Sequence, residues 1–190
     1  MAIFIKEIDL IIRHVKTYKQ KLKILFQRRF HPHNILTKKY ISKKKIGNIF
    51  FVKFITSSYM PNWHKYENFR KLYAANKKMG GGIILTECHE IDLCILFFGL
   101  PTSYNVNFRS RKSYKLDVYD HATIILSYKN FNVLIELDFL NNKLEKSYSI
   151  YGSKGFIKSN QISNKYLLNN YPKKKIELLS KINIDDSFLS

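Results

Sequence analysis

The chain has 190 residues, 45% of them hydrophobic, and a formal charge of +19. That is enough apolar material to bury the core of one domain, and too much for a disordered polymer. Lysine supplies 27 of the 33 basic residues and is scattered along the chain, so the charge reads as solvated faces, and a polyanion-binding role ranks behind other functions.

Ile5, Ile8, Ile12 and Val15 recur at helical spacing, which predicts an amphipathic helix over residues 3–20. Lys6, Glu7 and Asp9 interrupt the apolar residues there, so no secretory pattern is present. No apolar run approaches the length of a membrane span, and the chain reads as cytoplasmic. The run KLKILF at 21–26 predicts a short buried strand, ended by QRRFHPHN. A second, basic helix is expected over 35–45, stopped near Gly47. NIFFVKFITSSY at 48–59 is rich in β-branched and aromatic residues and predicts a long strand. The polar and aromatic MPNWHKYENFRKLYAANKKM reads as a loop followed by a short helix.

After Gly80, Gly81 and Gly82, residues 83–98 predict the most apolar helix of the chain. Gly99 is its expected C-cap, with Pro101 just beyond. The remainder reads mostly as strand: SYNVNFRS, DHATIILSYK and FNVLIELDFL, the last two joined as a hairpin at Asn130. KSYSIYGSKGFIKS holds another tight turn between Gly152 and Gly155. Helices followed by antiparallel strands make an α+β pattern, with no internal repeat.

Cys88 and Cys94 lie in the apolar helix and read as small core residues of a reduced protein. Cys88, His89 and Cys94 fit no zinc signature, so no metal is expected, and no serine has a nucleophile's context. Thr86 and His89 stand three residues apart, so on one helix they share a face. Histidine suits proton transfer near neutral pH. A core or capping histidine fits the same spacing, and both readings stay open.

Several segments together resemble the substrate domain of the Gfo/Idh/MocA oxidoreductases, the glucose–fructose oxidoreductase and inositol dehydrogenase family. They are FQRRFHP, GNIFFVKFITSSYMPNWHKYENFRKLYAA, GGGIILTECHEIDLCILFFG, DVYDHATIILSY and YGSKGFI, in that order. The combination of SYMPNWHKYENFR with the GGG…HEID stretch looks most like branches found in polysaccharide and sialic-acid-type sugar pathways. The resemblance implies an α+β fold, a largely antiparallel open sheet with helices packed on one face. It implies that residues 1–26 correspond to the end of a Rossmann domain and 27–190 to a substrate-binding and oligomerisation domain, short at its C-terminus. A G-x-G-x-x-G turn and a Glu-Lys-Pro motif, which the family carries, are not found here.

The function so implied is the substrate half of an NAD(P)-dependent sugar or nucleotide-sugar oxidoreductase. NAD or NADP belongs to the intact family member and is not expected to bind this chain alone. The resemblance makes His89 the catalytic base, with Thr86 where the family has an acid or a small polar residue. Gly81 and Gly82 would let a sugar lie against the backbone. Trp63, His64, Tyr66 and Arg70 match a segment that closes over substrate, where rings stack on a sugar and charged groups bond its hydroxyls. Gln27 is placed at the cofactor and Arg29 at the substrate. The implied partners are a separately encoded Rossmann half and further copies of the chain through its sheet. An interaction module that retains only the sheet is the non-enzymatic alternative.

Overall fold

The computed structural model describes residues 5–19, 21–171 and 175–178. Four α-helices are described: α1 (Ile5–Thr17), α2 (Pro32–Ser42), α3 (Ile83–Thr86) and α4 (His89–Phe98). The strands are β1 (Ile49–Tyr59), β2 (Ser103–Arg109), β3 (His121–Ser127), β4 (Asn132–Asp138), β5 (Leu140–Gly152), β6 (Gly155–Asn160), β7 (Lys165–Asn170) and β8 (Lys175–Leu178). They form a single sheet in the order β2-β3-β4-β1-β5-β6-β7-β8. Every pairing is antiparallel except β1 with β4. This is the expected α+β architecture. None of the described helices is long and apolar enough to cross a membrane.

β1 organises the sheet. Its alternation sends Val52, Phe54 and Thr56 to one face, where they are buried, and Phe51 and Lys53 to the other. The neighbouring strands follow the same period, with Ile124, Ile135, Leu137, Ile150 and Ile157 on the buried face. The helix α4 covers that face with Leu93, Cys94 and Phe97, and Phe97 stacks on Phe54 at 6.5 Å. Each fully buried aliphatic or aromatic side chain there contributes about 1.5–3 kcal/mol.

The other covering helix, α2, is held by polar contacts. His31 caps it, its ring accepting from the His33 amide at 3.2 Å, and Pro32 stands in the first turn. Its buried side carries His33, Asn34 and Thr37. The Thr37 hydroxyl lies 2.7 Å from the Tyr148 hydroxyl and 3.0 Å from that of Tyr166, and His33 Nδ1 meets Ser159 Oγ at 2.8 Å. Burial pushes the Tyr148 phenol far up and keeps His33 below its ordinary value. His33 is therefore neutral.

Three sequence expectations change. Residues 21–26 form no strand, and Ile24 and Leu25 are exposed at 77% and 75%. No strand among the described residues lies beside them to complete a ladder. The helix expected over 83–98 is two helices, because the chain breaks at Glu87 (φ −106°, ψ 37°). The segment after Met60 coils into 3-10 turns up to Met79 rather than one short helix. The helix predicted over 3–20 is found as α1, with Ile8, Leu10, Ile11 and Ile12 exposed. The hairpin at Asn130 and the turn between Gly152 and Gly155 stand as expected.

Candidate active site

The break at Glu87 sets the site. It swings α4 so that its first turn lies over the C-terminal part of β1, where the Thr56 hydroxyl donates to Glu90 Oε1 at 2.7 Å. Glu87, Glu90 and Asp92 are all buried there, an unusual load of carboxylate for one helix start. The single turn Gln27–Phe30 supplies the matching cations. Arg28 donates to Glu87 Oε2 at 2.9 Å and also to Glu90 Oε1. Arg29 holds Asp92 through both carboxylate oxygens. These charge-assisted pairs tie residues 27–30 to α4 across about sixty positions of sequence.

His89 stands at the first position of α4, beside this lattice and edge-on to the Phe26 ring at 6.1 Å. Its Nδ1 is buried without a hydrogen-bond partner, as are Thr86 Oγ1 and Glu90 Oε2. Burial, and then the charge of Arg28, keeps the His89 imidazole below its ordinary value, with Glu87 opposing. At neutral pH the ring is uncharged and able to accept a proton. Burial likewise raises the carboxyl of Glu90, against the pull of Arg28. From the sheet side, Lys146 stands opposite Thr56 in the ladder. Its ammonium is lowered first by burial and then by Arg28. A neutral base, a hydroxyl and a cation thus converge on one wall.

Arg29 is committed to Asp92, and Gln27 is exposed next to Arg28. Thr86 and His89 belong to two consecutive helices rather than one face of a single helix. Gly81 is required by the loop itself: a Cβ there would meet the carbonyl oxygens of Tyr73, Ala74 and Asn76 at 2.3–2.7 Å. Gly82, at φ +104°, faces Val118 instead. Trp63 packs edge-on against Phe139 at 5.1 Å and donates to Ser58 Oγ at 3.2 Å. Tyr66 is 83% exposed, and its hydroxyl meets His64 Nδ1 at 3.1 Å. Arg70 donates to the Tyr114 carbonyl at 3.0 Å and lies over the Phe69 ring. These four residues thus contact their own loop, Ser58, Phe139 and Tyr114.

Arg28, Thr56, Glu87, Glu90 and Lys146 were missed in sequence. The one signal was Glu87 and Glu90, three apart in an apolar helix, since buried acids demand a cation. Cys94 and Cys88 are free, and burial raises both thiols, which disfavours the nucleophilic thiolate of each. A second feature lies beside the site. A cavity of about 830 Å³ opens next to α3, walled by Gly82, Leu85, Phe108 and Tyr119, with Lys77 and Lys78 also lining it.

Residues 38–177 match a protein-family model described as "Oxidoreductase family, C-terminal alpha/beta domain". Comparison with curated proteins finds no match. Among solved structures the chain is similar to aldose-aldose oxidoreductase from Caulobacter crescentus complexed with glycerol, with TM-score 0.79, 16% identity, and coverage of 99% of this chain and 57% of that one. It is also similar to an inositol dehydrogenase homolog from Azotobacter vinelandii complexed with NADH and myo-inositol, with TM-score 0.72, 10% identity and coverage of 94% and 47%. An oxidoreductase from Agrobacterium radiobacter, in complex with NAD+, L-tartaric acid and magnesium, gives TM-score 0.72 at 18% identity, covering 90% and 49%. The chain spans about half the length of these structures. At such identities the likeness is one of fold.

Proposed function

The chain belongs to the Gfo/Idh/MocA oxidoreductases, to their C-terminal alpha/beta domain, and from that premise we propose that it is the substrate half of an NAD(P)-dependent enzyme acting on a sugar or nucleotide-linked sugar. The observation that carries this reading lies at Thr86 and His89, three residues apart on either side of the break at Glu87. Two buried polar atoms with no protein partner, His89 Nδ1 and Thr86 Oγ1, flank this helix break, where the carboxylates of Glu87 and Glu90 are held by Arg28 and Thr56. Leaving such atoms unpaired costs about 1–3 kcal/mol each, a cost that a bound ligand relieves. In this reading the neutral His89 accepts the proton of a substrate hydroxyl. Arg28, Glu87 and Glu90 hold its helix in place.

Residues 1–26 would then be the trailing end of a cofactor domain, and 27–190 the substrate domain. Similar solved structures are complexed with NADH or NAD+. The described sheet has one parallel pairing and no glycine-rich strand-to-helix turn, so the described residues do not fit a dinucleotide. A Rossmann half supplied by another chain would bring the nicotinamide, and Gln27, exposed beside Arg28, is the residue assigned to meet it. Two free cysteines suit the cytoplasmic setting of such an enzyme.

The test is to mix the full chain with a separately produced cofactor half and follow NADH formation on a panel of sugars. Turnover by the wild type and its loss in His89→Gln support the reading. Equal rates in the two proteins would refute it. Alone, the chain should show no heat of NADH binding, and micromolar affinity by titration calorimetry contradicts the split.

A second reading rests on the uncovered sheet face. Phe51 and Tyr151 are ladder partners there and remain 40% and 36% exposed, and Ile125, two strands from β1 on the same face, is 40% exposed. A second copy of the chain would bury them. Sedimentation should then give a dimer or larger, and Phe51→Glu should shift it to monomer; a monomeric wild type ends this reading.

A further inference from the structure

The cavity beside α3 combines three kinds of surface that one ligand class needs together. Phe108 and Tyr119 stack at 4.7 Å with their planes 26° apart, and Tyr119 is still 54% exposed, so an aromatic face is presented rather than buried. Lys77 and Lys78 supply two adjacent cations, with no carboxylate partner among the ion pairs of the described residues. Asp117 adds a single carboxylate on the wall. The volume falls inside the range of roughly 300–1,000 Å³ typical of small-molecule sites.

The backbone narrows the chemistry. The amides of Gly81, Gly82 and Ile83 are already bonded to Asn76, Ala74 and Tyr119 carbonyls. With those three amides engaged, the lysine side chains are the cations on the cavity wall that an anion would meet. A flat ring stacks on Tyr119 irrespective of its edge pattern, and a carboxylate accepts from vicinal hydroxyls. Leu85, on the cavity wall, directly precedes Thr86 in α3, so the cavity lies one residue of sequence from the polar wall of the candidate site.

We propose that this cavity holds a nucleoside diphosphate, its base stacked on Tyr119, its ribose hydroxyls at Asp117 and its phosphates at Lys77 and Lys78. The proposal deepens the substrate-half reading, on which it rests: the substrate is a nucleotide-linked sugar whose sugar end reaches Thr86 and His89.

Titration calorimetry of the full chain with UDP, ADP and inorganic pyrophosphate tests it. At least one nucleotide should bind about tenfold tighter than pyrophosphate, because stacking adds to charge. Tyr119→Ala and the pair Lys77→Glu/Lys78→Glu should each weaken it about tenfold, while Tyr119→Phe retains it. The control pair Lys38→Glu/Lys39→Glu, of equal charge change, should leave it within about twofold. Absence of nucleotide binding, equal affinity for pyrophosphate, loss in Tyr119→Phe, or an equal effect of the control pair each overturns the proposal. His89→Gln should leave UDP and ADP affinity unchanged. A failure here therefore stays separate from a failure of His89 as the base.

Discussion

Arg29 grips Asp92 with two parallel hydrogen bonds, Nε to Oδ2 at 2.8 Å and a terminal nitrogen to Oδ1 at 2.5 Å. The arginine side chain is 41% exposed and the aspartate 9%. The pair therefore fastens the residues before α2 to the helix that carries His89. Its asymmetry of burial decides what mutation does.

Arg29→Ala should cost about 1–2 kcal/mol, because it strands a buried carboxylate. Arg29→Lys should recover only part of that, since an ammonium cannot hold both oxygens. In urea unfolding, the double variant Arg29→Ala/Asp92→Ala should lose less than the two single losses added together. Additive losses would show that the two side chains do not interact.

At the histidine wall, stability and function are expected to part. His89→Leu and Thr86→Val each remove a buried polar atom that has no partner. Each should be neutral or stabilise the chain by up to about 1 kcal/mol, measured as a rise in melting temperature. The same substitutions should abolish turnover in the complemented enzyme. A large loss of stability would mean that these groups hold the fold rather than a ligand.

Thr56→Val keeps the shape of the side chain and deletes the hydroxyl that donates to Glu90. The expected loss is about 1–2 kcal/mol, because Glu90 is only 3% exposed and its other oxygen is already unpaired. Glu90→Gln in the Thr56→Val background should recover stability, since an amide costs less to bury than a carboxylate. Unchanged stability in Thr56→Val would remove the hydroxyl from the cluster's energetics.

Acid should weaken the fold through the cap of α2. Burial, then His33 and Arg28, lowers His31 to about 4, and burial lowers His33 as well. The unfolded chain takes up protons on these rings near pH 6.5, where the folded chain refuses them. The contribution is complete above pH 6.5 and is lost as pH falls toward 4. With allowance for solvent at the partly exposed His31, about 1–2 kcal/mol should disappear between pH 7 and pH 5. His31→Asn, which keeps a capping acceptor, should flatten that slope. A melting temperature independent of pH over this interval would contradict it.

The strand segments were legible because each repeats with period two between recognisable turns. Asn130 and Gly152–Gly155 marked both turns in advance. KLKILF was misread because an apolar run carries no record of whether a neighbour exists to pair with it. The break after Thr86 was invisible because Thr-Glu-Cys contains no helix breaker; tertiary pull on Glu87 and Glu90 by Arg28 accompanies it. His89 was singled out through resemblance. Its supporting cluster joins residues 28, 56, 87, 90 and 146, and no local pattern links positions so far apart.

The central place of β1 also sets the order in which the molecule is built. All of its ladder partners lie in 132–138 and 140–152. A ribosome must therefore release most of the chain before this strand finds either neighbour. Until then its aromatic and β-branched side chains have no sheet to join, and long loops must close before any ladder forms. Folding should be slow and open to chaperone capture, with α2 and β1 waiting on the last third of the sequence.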